Sequence, residues 1–255
     1  MSAAISIQGI SKHYGEGSDA VLALDGIDLD IAAGEFVSLL GPSGCGKSTL
    51  MLIIAGLLDT SKGSVLFNQE KVETARTDIG IMFQDNTLVP WRTVRGNIEL
   101  QLELRGLKLA DYAQKIKDLL HSVKLDEFAK RYPFELSGGM QQRAAFCQAL
   151  IHEPGTLLFD EPLGKLDAMT RESIRYDLQQ LWLARKPTVV FVTHSIEEAV
   201  QLSTRVCVMT PRPGRIQHVI DINLPWPRTI EVKAGPQFST YVHQIQDIFR
   251  GYGLM

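Results

Sequence analysis

Phe36-Val37-Ser38-Leu39-Leu40 runs into Gly41-Pro42-Ser43-Gly44-Cys45-Gly46-Lys47-Ser48-Thr49 and then into Leu50-Met51-Leu52-Ile53-Ile54. The first five residues are a continuous apolar run of strand length, and Lys47 to Ala55 reads as a helix. The residues between them match the GxxxxGK[ST] spacing of a phosphate-binding loop, in the strand–loop–helix setting that this spacing requires. Glycines let successive backbone N–H groups curl around phosphate oxygens, and the following helix points its positive end at them. Lys47 is then placed to reach the terminal phosphates and Ser48 to bind Mg²⁺. The alternative is a glycine-rich turn that merely starts a helix; the Lys-Ser pair and the flanking pattern argue against it.

Further short apolar runs lie outward from this loop: Ile79 to Phe83, Thr156 to Phe159, Thr188 to Val192 and Arg205 to Met209. Unbroken runs of this length predict strands buried on both faces, the habit of parallel sheets covered by helices. Helical patterns at Met140 to Ile151 and Met169 to Ala184 alternate with them, which predicts an α/β fold with ligands at the carboxyl ends of the strands. From about Val94 to Ile151 the pattern is helical, so residues 88–154 read as a helical subdomain inserted in a single domain covering 1–255. Two ordinary crossover helices would be a simpler reading, but the stretch is long for that. Pro211, Pro213, Pro225 and Pro227 mark the expected end of the sheet and the start of a tail over 217–255.

The bulk properties narrow the class. The 255 residues carry a formal net charge of −3, with 45% hydrophobic and 22% charged residues, which is ordinary for a soluble globular protein. That charge argues against a broad nucleic-acid footprint and so against a nucleic-acid partner. Cys45, Cys147 and Cys207 lie far apart with no CxxC pairing, so no zinc site is legible and buried thiols in a reducing compartment are expected. The start, MSAAISIQGISKHYGEG, lacks the basic run and apolar core of a secretion signal. No apolar stretch approaches the roughly 18 residues of a membrane span.

Two more motifs carry chemistry. Thr156-Leu157-Leu158-Phe159 delivers Asp160 and Glu161 at a strand end, where adjacent carboxylates are costly unless a cation or substrate compensates. Asp160 is the candidate partner of Mg²⁺, and Glu161 the candidate base for the attacking water. A helix-capping Asp-Glu pair is the plainer alternative. Leu136-Ser137-Gly138-Gly139-Met140-Gln141-Gln142-Arg143 places a good N-cap, Ser137, before two glycines that leave first-turn amides uncovered. Alone, that stretch reads as a capped helix with glycines for close packing.

Together these elements resemble the ATP-binding-cassette family, and the resemblance covers nearly the whole chain. Leu136 to Gln141 resembles the LSGGQ-type signature that separates this family from other phosphate-loop ATPases. Tyr14 resembles the aromatic residue that stacks on adenine, although a lone aromatic is more often surface packing. Gln84 resembles the glutamine that senses Mg²⁺, the water and the membrane partner. Asp167 resembles the D-loop aspartate, and His194 the switch histidine that contacts the γ-phosphate. The resemblance implies a phosphate-loop NTPase (RecA-like) core with an N-terminal antiparallel β region and an inserted α-helical subdomain. It also implies ATP and Mg²⁺ as ligands, with Gly41 to Thr49, Tyr14 and Asp167 binding nucleotide and Lys47, Gln84, Glu161 and His194 catalytic. Ser48, Gln84 and Asp160 are the implied metal ligands. Two copies are expected to close head to tail, Ser137, Gly138 and Gly139 of one covering the γ-phosphate held by the other. The implied setting is peripheral, on the cytoplasmic face of the cell (inner) membrane, with permease subunits as partners and a solute-binding protein as an indirect one.

One residue departs from the family pattern. In Leu163-Gly164-Lys165-Leu166-Asp167, relatives usually carry a small residue in place of Lys165, which either alters dimer contacts or simply points outward. Leu88-Val89-Pro90-Trp91 and the Pro211 to Arg215 run resemble the nitrate/sulfonate/taurine importer ATPases; a rigid turn and a tight surface turn are the plainer readings. The competing function is a soluble cassette acting on a protein scaffold, as in iron–sulphur cluster assembly. DNA-repair and chromosome-structural cassettes split the fold with a long coiled coil, and the connection from Gln84 to Ser137 is too short and lacks heptads.

Overall fold

The computed structural model describes residues 2–15, 17, 20–85 and 87–254. Two antiparallel strands, β1 (Ile5–Tyr14) and β2 (Val21–Ile31), open the chain, followed by β3 (Phe36–Leu40) and α1 (Lys47–Ile54). Then come β4 (Lys62–Phe67), β5 (Glu70–Lys71), β6 (Ile79–Met82), α2 (Val94–Glu103), α3 (Ala113–Ser122) and α4 (Gly138–Leu150), with short 3₁₀ turns around α3. The second half runs β7 (Thr156–Asp160), α5 (Ala168–Arg185), β8 (Thr188–Thr193), α6 (Ile196–Leu202), β9 (Arg205–Met209), β10 (Ile216–Asp221), α7 (Ile230–Ala234) and α8 (Pro236–Gly251).

Two sheets result. One is antiparallel, in the order β2-β1-β4-β5; the other has six strands in the order β10-β9-β3-β8-β7-β6 and is parallel except for β10 against β9. The five predicted core strands all form, and β3, β7 and β8 are buried at every position. Their side chains alternate between two cores, as a period of 2 requires. Phe36, Phe159 and Phe191 face a cluster built from α2 to α5. Val37, Leu39, Val190 and Val192 face α1 and the antiparallel sheet. That two-sided burial is the physical reason for the unbroken apolar runs.

The register brings the carboxyl ends together. Leu40 pairs with Thr193 and with Val208, and Asp160 pairs with Val192. The segments leaving β3, β7, β8 and β9 therefore emerge side by side, where ligands bind in open α/β sheets.

The expectation that the sheet ends at the Pro-rich patch is corrected. The chain turns at Thr210–Arg215 and returns as β10, so the boundary at 217 falls inside a strand. The Thr210 backbone N–H donates to Arg215 O at 2.9 Å, and the Arg215 N–H donates to Thr210 Oγ1 at 3.0 Å, closing the turn. Pro211 and Pro213 are tolerated because they sit outside the ladder, next to an edge strand. After β10 the chain is helical, and Phe238, Ile245 and Phe249 of α8 pack with Ile196, Ala199 and Val200 of α6. Among the described residues no helix is long and apolar enough to cross a membrane.

Candidate active site

The loop between β3 and α1 forms the floor of an open cleft of about 620 Å³. Gly44 and Gly46 have φ of 75° and 102°, the left-handed region that only glycine enters cheaply. A Cβ at Gly46 would also lie 2.6 Å from Leu24 Cδ2. Gly46 is the N-cap of α1 with no side-chain cap, so the first amides of that helix are left for a ligand. Lys47 is 5% exposed, and its Nζ donates to Gly41 O at 2.8 Å and Pro42 O at 2.9 Å. Neutral carbonyls thus hold a buried ammonium at the base of the cradle.

Asp160 ends β7 and Glu161 follows it; Glu161 lines the cleft, whereas Asp160 does not. Asp160 hydrogen-bonds the Ser48 side chain, and burial pushes its carboxyl above the usual range, with the nearby Glu161 charge pushing the same way. Its Oδ1 is buried with no hydrogen-bond partner. Glu161 has φ 46°, an uncommon conformation for a side-chain-bearing residue and one that concentrates at functional sites. Three bonds over-determine it: its N–H donates to Val192 O at 3.0 Å, and its carbonyl accepts from Gly164 N at 3.3 Å and Gln142 Nε2 at 3.3 Å. The carboxylate is bracketed, with Gln84 Nε2 donating to Oε2 at 3.2 Å and His194 Nδ1 lying 3.3 Å from Oε1.

Tyr14, Ser43, Gly44, Gly46, Lys47 and Ser48 line this one cleft, together with Thr49, Gln84, Glu161 and His194. Tyr14 is 43% exposed, and its hydroxyl lies 3.3 Å from Thr49 Oγ1, which stands its ring at the cleft's edge. Gly41, Pro42 and Cys45 do not line the cleft. The first two hold Lys47, and the Cys45 thiol is fully buried, its pKa raised by that burial. Cys147 and Cys207 are pushed up to about 12 by burial, and all three cysteines are free.

Ser137, Gly138, Gly139 and Asp167 are also absent from the cleft of a single chain. Ser137 caps α4 by accepting from Met140 N at 3.3 Å, and Asp167 caps α5 by accepting from Thr170 N at 3.0 Å. Lys165 lies 3.4 Å from Asp85 Oδ1, an exposed ion pair between the two loops that flank Glu161. Two contributors escaped sequence reasoning. Arg212 lines the cleft and donates to Gly44 O at 3.4 Å. Gly214 packs under the loop so tightly that a Cβ there would lie 2.0 Å from Cys45 O. Both sit in the Pro211 to Arg215 run, whose density of Pro, Gly and Arg was the available signal.

A profile of the family described as ABC transporter matches residues 24–164. Over 251 residues the chain is 41% identical to the aliphatic sulfonates import ATP-binding protein SsuB of Bacillus cereus, with 98% of each chain covered. This chain belongs to the ABC transporter family. The cassette is also 42% identical over 245 residues to a putative ATP-binding protein of Brucella abortus, covering 96% of this chain and 93% of that one. It superposes with a TM-score of 0.79 on the ATP-binding cassette MJ0796, solved as a dimer in a post-hydrolysis state bound to ADP and Pi. That match has 32% identity and covers 86% of this chain and 99% of the other. The cassette is an ATPase, built on the phosphate-loop core with its antiparallel β region.

Proposed function

We propose that this cassette is the ATP-hydrolysing subunit of a membrane importer for a small, often anionic solute of the sulfonate, taurine or nitrate kind. It acts at the cytoplasmic face of the membrane as a pair of copies bound to permease subunits, with a solute-binding protein as the indirect partner. The observation that carries the chemistry is the Glu161 carboxylate, bracketed by Gln84 and His194 across the cleft from Lys47. Phosphoryl transfer to water needs positioning and charge neutralisation more than covalent chemistry. Lys47 and the α1 amides hold the phosphates, Glu161 takes a proton from the attacking water, and Gln84 and His194 orient it.

Mg²⁺ fits the residues present. Asp160 Oδ1 is a buried carboxylate oxygen without a partner beside Ser48, and the chain offers no larger donor cluster among the described residues. An ion that takes its other ligands from phosphate and water suits such a sparse set, and it supplies charge neutralisation at the phosphates. Gln84 lies on Glu161 and would join that ion through water.

The second copy is supported by the position of Ser137 to Gly139 at the start of α4, outside the cleft of their own chain, with Ser137 and Gly138 exposed. Closure head to tail brings that helix start onto the γ-phosphate of the partner copy. Gln142, one turn along α4, donates to Glu161 O and accepts from Lys165 N at 3.2 Å, so the signature helix and the catalytic loop move as a unit. We read 88–154 as a helical subdomain that receives the permease. Backbone bonds from Val94 N to Arg131 O and from Arg95 N to Ala129 O tie the start of α2, which follows the Trp91 turn, to the segment that leads to the stacked Tyr132 and Phe134 rings. Trp91 and Phe134 are each 76% exposed, large apolar side chains left open to a partner on this subdomain. No observation favours the scaffold-protein alternative.

The test of the chemistry is Glu161→Gln, which keeps the bracket's shape and removes the base. Turnover is expected to fall by about 10² to 10⁴, with ATP binding preserved. Retention of most activity would sink the assignment. Copurification with a permease and a solute-binding protein, followed by a ligand screen on the latter, tests the importer reading.

A further inference from the structure

Behind His194 lies a buried polar network that the hydrolysis chemistry leaves unused. Glu198, on α6, is 7% exposed, and both carboxylate oxygens are engaged. Oε2 accepts from Thr193 Oγ1 at 2.7 Å, while Oε1 accepts from Arg175 Nη2 at 3.0 Å and lies 4.0 Å from Arg171 Nε. Thr193 ends β8, and its Oγ1 accepts from Ser195 N at 3.0 Å. The Ser195 hydroxyl in turn accepts from Glu198 N at 3.3 Å. Both neighbours of His194 are therefore bonded into the surroundings of one carboxylate. On the far side, Arg171 Nη2 donates to Leu166 O at 2.9 Å and its Nε to Leu163 O at 3.3 Å. Those carbonyls belong to the loop between Glu161 and Asp167.

We propose that Glu198 is a positioning residue for His194, joining the switch turn Thr193–Ser195 to the loop Leu163–Asp167 through Arg171, with Arg175 anchoring its carboxylate. The proposal rests on His194 acting in the cleft, where it orients the attacking water, as set out above. Glu198 touches neither nucleotide nor water; it acts through Thr193. A buried carboxylate is tolerated only when its charge is matched and its lone pairs are filled, and here two guanidinium groups and a hydroxyl do both. With both of its oxygens engaged, the carboxylate has few alternative arrangements, so a shift of the loop is felt at the turn that carries His194. An ion pair that only holds α5 to α6 would stabilise the fold without any dependence on His194.

The experiment measures kcat, ATP affinity and apparent Tm for Thr193→Val, Thr193→Ser, Glu198→Gln and His194→Ala, and for Thr193→Val combined with His194→Ala. Thr193→Val is nearly isosteric and removes the hydroxyl that links Glu198 to Ser195. It is expected to lower kcat roughly tenfold with ATP affinity within about twofold, since a misplaced group costs rate more than binding. Thr193→Ser is expected to restore kcat, and Glu198→Gln, which loses the charge facing the arginines, to lower it in the same way. In the His194→Ala background, Thr193→Val is expected to add nothing, because the two changes act on one interaction. An equal loss from Thr193→Val with and without His194 overturns the proposal in favour of a purely structural pair. Unchanged kcat in both Thr193→Val and Glu198→Gln overturns it as well. Near-normal turnover by His194→Ala would instead overturn the site reading on which the proposal stands.

Discussion

Arg228→Met should destabilise this cassette strongly, although Arg228 lies outside the cleft. Arg228 is 1% exposed, and among the described residues no carboxylate pairs with it. Its Nη1 donates to Val200 O and Ser203 O, both at 2.6 Å, and its Nη2 donates to Ile222 O at 2.9 Å. Val200 lies in the last turn of α6 and Ser203 is its C-cap, so the guanidinium caps the helix that begins just after His194. The ring of Trp226 lies 4.1 Å from its central carbon. Hydrogen bonds to a charged group contribute about 1.5 to 3 kcal/mol each. Against them stands the cost of burying the charge, which pulls the Arg228 pKa down to about 10 and offsets several kcal/mol. The group remains charged at neutral pH, so the balance leaves about 3 kcal/mol that Met cannot replace, with three carbonyls stranded. For a chain of this size that corresponds to a fall in apparent Tm of roughly 6 to 10 °C. Arg228→Lys should lose most of the same stability, because a single ammonium cannot span three carbonyls or stack on Trp226. Urea unfolding followed by far-UV circular dichroism measures this without relying on the neighbouring tryptophans. A loss below about 1 kcal/mol for Arg228→Met would refute the capping argument.

Three further outcomes follow from the site. Asp160→Asn should raise the nucleotide-free Tm while abolishing turnover. Burial raises this carboxyl's pKa, so the cost of ionising it sets in as pH rises through the unfolded-state value and is complete above the folded-state value; removing the charge should stabilise the nucleotide-free fold. A Tm that falls would contradict it. Gly214→Ala should weaken ATP binding measured by titration calorimetry, because its Cβ would displace Cys45 O from 2.0 Å; wild-type affinity would remove Gly214 as a buttress of the loop. Trp91→Glu should leave the isolated subunit's ATPase unchanged and abolish uptake by the assembled transporter; normal uptake would detach the Trp91 patch from permease docking.

Much of this architecture was legible because buried parallel strands write themselves as unbroken apolar runs. Phe36 to Leu40 and Thr188 to Val192 fill both faces of the sheet, so no polar alternation obscures them. The phosphate loop was legible because Gly44 and Gly46 need left-handed backbone that few other residues accept. What escaped depends on tertiary partners. The Pro211 to Arg215 turn looked like the end of a sheet because its closure depends on a Thr210–Arg215 backbone bond and one threonine hydroxyl, which no periodicity reports. Arg228 has no local signature, since only the fold gathers the carbonyls of Val200, Ser203 and Ile222 around it. Gln142 lay inside a recognised motif, yet its tie to Glu161 O crosses from α4 to the end of β7 and has no local signature.

The central claim is that hydrolysis occurs in a cleft completed by a second copy. Sedimentation velocity of Glu161→Gln protein with ATP, with and without an added Ser137→Arg, tests it most directly. The account predicts that Glu161→Gln forms a dimer only when ATP is present, and that Ser137→Arg returns it to monomers that still bind ATP. A Glu161→Gln chain that saturates with ATP as a monomer, or a Ser137→Arg chain that still dimerises with ATP, would contradict it.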